Sequence, residues 1–138
     1  MRYMIMVKMT EPSPPPSSEM LAAMGKLNEE MIAAGVLLGG EGLQPSGSGA
    51  KVRMQNGKLE VRDGPFTEAK ELLGGFWILK CDSLDDAVGW VKKIPMWNEG
   101  DEVEIRRVSE VEDFTYDEVS AEALDREKAQ RDRGEWPQ

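Results

Sequence analysis

The residues best suited to chemistry lie in one stretch, Asp63-Gly64-Pro65-Phe66-Thr67-Glu68-Ala69-Lys70-Glu71-Leu72-Leu73-Gly74-Gly75. Asp63 is the first of them. A carboxylate in a turn beside an aromatic ring is partly desolvated, which raises its pKa, while turn amides lower it. Such a group serves as a general base, or as an acceptor for a cationic or hydrogen-bonding ligand group. Lys70 and Arg62 are the nearby cations for an anionic ligand, with Arg106 a further one downstream. Glu41 is a second carboxylate with which Asp63 can pair. Gln44 and Phe66 complete the set of expected ligand contacts. A purely structural account of Asp63, as the opening residue of a tight turn, stands beside the functional one.

What the chain lacks narrows the chemistry. It contains no histidine and a single cysteine. That excludes Ser-His-Asp and Cys-His catalytic sets and leaves too few nitrogen and sulfur ligands for an expected zinc site. No cofactor is expected. Cys81 closes an apolar run with no cationic neighbour in sequence, so it reads as a buried, inert thiol. The net charge is −9 over 138 residues. Residues 108–138 hold ten acidic and four basic side chains, so most of that charge sits at the C-terminal end. Without a basic stripe to neutralise phosphates, nucleic-acid binding is not expected. No apolar run reaches the roughly twenty residues of a membrane span, and a cytoplasmic location is expected.

The elements that must position these groups follow from periodicity. Tyr3 to Met9 is an apolar run of strand length. Glu11-Pro12-Ser13-Pro14-Pro15-Pro16 is a stiff connection that cannot be helix interior. Ser17 or Ser18 then caps a helix over about 18–34, with Met20, Met24, Leu27 and Met31 on one face and Gly35 as the left-handed stop. Gly39 to Gly49 reads either as a flexible loop feeding a strand or as one wall of a pocket, carrying Glu41 and Gln44. Lys51–Gln55 and Lys58–Arg62 form a hairpin about Asn56-Gly57, because both turn positions tolerate positive φ. Val52, Met54, Leu59 and Val61 are expected to face inward.

Thr67 caps an expected helical turn over 68–73, which Gly74-Gly75 ends. Phe76 to Cys81 is another strand. Ser83 caps a second helix whose buried face is Leu84, Ala87, Val88 and Val91. Glu102–Arg107 alternates as a last strand. The order predicts a ferredoxin-like α+β sandwich with an extended middle hairpin over residues 1–108, followed by an acidic helical tail over 109–138. Two helices cover only one sheet face, so a second subunit is expected on the other.

Asp63-Gly64-Pro65-Phe66, followed by Thr-Glu-Ala-Lys-Glu-Leu-Leu-Gly-Gly-Phe-Trp, resembles the signature of the DGPF branch of the YCII-related family. The opening Arg2-Tyr3-Met4-Ile5 is similar to that branch too, as are Gly35-Val36-Leu37 and Gly40-Glu41-Gly42-Leu43-Gln44-Pro45. The resemblance covers about residues 1–108. It implies a homodimeric α+β barrel with a cleft lined by the first strand, the glycine-rich loop and the signature loop. Better-known relatives resemble small hydrolases or lyases with a His-Asp pair. Here Asp63 is the only member of that pair with a counterpart, so the resemblance does not carry over the reaction. Such proteins tend to be encoded beside extracytoplasmic-function sigma factors, which implies a regulatory protein partner as the alternative to a small-molecule ligand.

Overall fold

The computed structural model describes residues 1–11, 13–66, 72–95, 97–114 and 118–136. Two compact units are present, Met1–Arg107 and Val108–Gln138. The first contains β1 (Arg2–Met9), α1 (Ser18–Ala33), β2 (Leu37–Gly42), β3 (Ala50–Gln55), β4 (Lys58–Asp63), β5 (Leu72–Lys80), α2 (Leu84–Val91) and β6 (Val103–Arg107). The second contains a 3-10 turn at Val111–Asp113 and α3 (Glu118–Asp132).

Four strands form an antiparallel sheet in the order β2-β5-β1-β6, while β3 and β4 form a separate two-stranded sheet. Without the hairpin, the first unit runs strand-helix-strand-strand-helix-strand with its first and third strands central. That is the ferredoxin-like α+β arrangement.

The core follows from strand alternation. Tyr3 and Ile5 of β1 lie opposite Leu79 and Trp77 of β5. All four are buried in one cluster with Leu27 and Met31 of α1 and Ala87 and Val91 of α2. Both helices therefore cover the same sheet face. Met4 and Met6, opposite Ile78 and Phe76, point the other way and remain half-buried. Capping sets where the helices begin. The Ser17 hydroxyl accepts the Met20 N–H, and the Ser83 hydroxyl accepts the Asp86 N–H, each at 3.1 Å. Gly35, at φ 72°, takes the left-handed turn after α1.

Several expectations need correction. Gly39-Gly40-Glu41-Gly42 is not loop but the body of β2, an edge strand paired with β5. Gly40 serves close packing: a Cβ there would come within 2.7 Å of Trp77 Cδ1. Leu72 to Gly75 does not close a helical turn but begins β5. Leu84 of α2 is exposed, not buried.

The hairpin forms as expected, with Asn56 and Gly57 both at positive φ, but its apolar face is not inward. Val52, Met54, Leu59 and Val61 are 63–70% exposed. The alternation is real, since Val52 lies opposite Val61 and Met54 opposite Leu59. Among the described residues the two strands pair only with each other, and no second layer buries that face.

The C-terminal unit is polar. In α3, Ala121, Leu124 and Ala129 are half-buried, and Lys128 reaches Glu112 at 3.8 Å. Arg131 lies 4.8 Å from the centre of the Trp136 ring. Among the described residues, no helix is long and apolar enough to cross a membrane.

Candidate functional site

One side chain ties together segments that sequence reading treated separately. Ser46 begins the 3-10 turn Ser46–Ser48, just after β2. Its backbone N–H donates to Glu11 Oε1 at 2.6 Å, and its hydroxyl donates to Glu11 Oε2 at 2.5 Å. The Ser46 Oγ in turn accepts the Phe66 N–H at 3.0 Å. A relay of hydrogen bonds thus runs from the Phe66 amide through Ser46 to the Glu11 carboxylate.

Backbone packing reinforces the junction. The Gly64 N–H donates to the Gly49 carbonyl at 2.9 Å, extending the hairpin ladder. A Cβ on Gly64 would fall 1.7 Å from the Ser46 carbonyl oxygen, so only glycine fits there. The Gly64–Pro65 peptide is cis. The stiff Glu11 segment, the glycine-rich connection and the Asp63–Phe66 turn therefore meet at Ser46.

Beside this junction lies a recess of about 410 Å³, within the usual range for small-molecule sites. Leu43, Pro45, Phe66, Leu72 and Leu73 supply apolar wall, and Gln44, Ser46, Glu11 and Lys51 supply polar groups. The Lys51 ammonium stands 4.5 Å from the Phe66 ring centre, a cation–π contact.

The electrostatics bear on what the recess can do. The Ser46 hydroxyl, followed by its backbone N–H, holds the Glu11 carboxyl below its ordinary range. A carboxylate stabilised in this way is a poor proton acceptor near neutral pH. Its geometry suits a clamp. Cys81 lies elsewhere, beside α2. Burial, then the nearby Asp86, push its thiol above its ordinary value, as expected for an inert cysteine. Among the described residues, no group of three or more His, Cys, Asp or Glu side chains is placed to hold a metal ion.

The sequence-derived site residues are distributed unevenly. Gln44 and Phe66 both line the recess. Asp63 is exposed at the end of β4, opposite Ala50, and is not among the lining residues. Glu41 borders a different groove, of about 490 Å³, between α1 and the β2–β5 edge. Arg106 is exposed on β6, opposite Met4. Glu41 and Arg106 sit on the two opposite edge strands, three strand spacings or roughly 14 Å apart across the sheet. Lys70 lies outside the described residues, as does most of the helical turn expected over 68–73.

Sequence reading missed Glu11, Ser46 and Lys51. Glu11 sits in a proline-rich connection, and Ser46 is one serine of a Ser-Gly-Ser-Gly run. Neither position carries a local signal of long-range pairing. Lys51 was visible only as an outward residue of a hairpin strand.

A family model for the YCII-related domain matches residues 1–112. A protein of Rhizobium meliloti (strain 1021), described as uncharacterized protein R00369, is 34% identical over 71 residues. That match covers 51% of this chain and 57% of the relative, so the chain spans little more than half of the relative's length.

Proposed function

The chain belongs to the YCII-related domain family, and from that premise we propose that it binds a small organic ligand in the recess between the glycine-rich connection and the Asp63–Phe66 turn. The observation that carries this reading is the Ser46 relay. It fixes both walls of the recess relative to each other through three hydrogen bonds. A pocket already held in shape loses little conformational freedom when a ligand enters. The lining has the composition of a ligand site, apolar walls with a few fixed polar groups.

Binding is favoured over turnover. The only carboxylate lining the recess among the described residues is Glu11, and both of its oxygens already accept hydrogen bonds from Ser46. Asp63, a natural base by sequence, stands in solvent outside the lining. The turn that defines the DGPF branch then acts as scaffold: Gly64 packs on Ser46, and Phe66 presents its ring to the recess.

The protein acts in this reading as a homodimer. The sheet face opposite the helices carries Met4, Met6, Phe76 and Ile78 at its centre. Charged side chains lie alongside, including Lys8 and Glu104, 3.7 Å apart. An apolar centre with a polar rim is the usual anatomy of a subunit interface.

A library of small aromatic and aliphatic fragments, screened by saturation-transfer NMR against the wild type and Phe66→Ala, tests the ligand reading. Fragments that bind the wild type and are lost in the variant support it. Fragments that bind both proteins equally, or no binding at all, contradict it.

A further inference from the structure

The hairpin carries a second feature besides its exposed apolar face. On the opposite face, Lys51 lies across from Arg62, Arg53 from Glu60, and Gln55 from Lys58. Four cations thus share this face with one carboxylate, on a chain whose net charge is −9. Placing Lys51 directly across from Arg62 is locally unfavourable, because like charges on facing strands repel. Among the described residues, Arg53, Lys58, Arg62 and Lys51 form no ion pair, and the Lys51 ammonium stands over the Phe66 ring. A depression of about 180 Å³ is lined by Lys51, Arg53, Glu60 and Arg62 among others.

Lys51 lines both this depression and the recess beside Phe66. The two spaces therefore share one lining residue. Resting on the recess reading given above, we infer that the ligand is an amphipathic organic anion: an apolar ring or short chain packs on Phe66, Leu43 and Leu72, and its carboxylate, sulfonate or phosphate group lies between Lys51 and Arg62. An anionic group there relieves the Lys51–Arg62 repulsion and forms charge-assisted hydrogen bonds with both. Guanidinium geometry also suits paired oxygens better than a lone ammonium does. The Glu11 carboxylate lines the same recess as Lys51, but its two oxygens accept from Ser46, and among the described residues it forms no ion pair with Lys51.

Two fluorescent probes of nearly the same shape test the claim. One is 8-anilinonaphthalene-1-sulfonate, an anion; the other is N-phenyl-1-naphthylamine, which is neutral. Each is titrated into the wild-type protein, Arg62→Gln, Lys51→Gln/Arg62→Gln and Phe66→Ala. All substituted side chains except Phe66 are exposed, so the fold tolerates their loss. The expected result is that Phe66→Ala weakens both probes. Arg62→Gln, outside the recess lining, then weakens the sulfonate about threefold and leaves the neutral probe within about twofold, and the double variant weakens the sulfonate about tenfold. If Phe66→Ala weakens both probes but the charge variants leave the sulfonate unchanged, the anion inference is overturned and the recess stands. If neither probe depends on Phe66, the recess reading fails and the inference falls with it.

Discussion

Ser46 and Glu11 are 35 positions apart in sequence, yet both donors of Ser46 meet the two oxygens of one carboxylate, at 2.6 and 2.5 Å. The contact joins the segment leaving β1 to the segment leaving β2. Through the Phe66 amide it also holds the turn leaving β4. Three chain segments that follow three different strands are thereby held together.

The first prediction concerns pH. The folded-state pKa of Glu11 is lowered from its ordinary value of 4.5. A lowered carboxyl pKa contributes stability above the unfolded value, and that contribution is lost as pH falls through the folded value. Urea midpoints for wild type and Glu11→Gln should therefore differ near neutral pH and converge as pH drops below about 4.5. A difference that grows on acidification would contradict the clamp.

Gly64→Ala should destabilise the first unit by about 1–3 kcal/mol, the usual cost of overpacking. The added Cβ would overlap the Ser46 carbonyl. Gly47→Ala, whose Cβ meets nothing within 4 Å, should stay within about 0.5 kcal/mol of wild type. Chemical denaturation of both variants reads the contrast. Equal effects would mean that the Gly64–Ser46 contact is not maintained in solution.

Leu79→Ala and Leu59→Ala make the same chemical change in opposite surroundings. Leu79 is fully buried in the core, whereas Leu59 is 69% exposed on the hairpin. The first should cost about 2–5 kcal/mol and the second less than about 0.5 kcal/mol. A comparable loss at Leu59 would show that the hairpin face is covered in solution.

The dimer proposal has its own test. Phe76→Glu puts a carboxylate at the centre of the open sheet face, on the side away from the helices. Multi-angle light scattering should give twice the 15.4 kDa chain mass for the wild type and a single chain for the variant. A monomeric wild type would contradict the proposal.

Local features of this fold are legible in its sequence, and long-range ones are not. Asn56-Gly57 specifies its own turn through positive φ, and Ser17 and Ser83 announce the helices by capping. β2 is hidden because a strand of Leu-Leu-Gly-Gly-Glu-Gly has loop composition. It is a strand only because β5 pairs with it and Trp77 needs bare backbone opposite. The hairpin shows the same limit. Alternation marks which residues share a face, but it does not say whether anything covers that face.

The site divides along the same line. Gln44 and Phe66 were reachable because they flank recognisable loop motifs, and both line the recess. Asp63 drew attention through its chemistry, but its place at the end of β4 leaves it in solvent. Glu11 owes its role to a partner 35 residues away, and no spacing rule connects an acid before a proline run to a serine in a glycine-rich segment.

The most direct test of the central claim is an amide chemical-shift map recorded while 8-anilinonaphthalene-1-sulfonate is titrated into the isotopically labelled protein. The account predicts that the largest shifts fall on Gln44, Ser46, Lys51 and Phe66, with Arg62 following. Shifts confined to the α1 groove around Met20, Met24 and Gly40, or scattered without saturation, would contradict it.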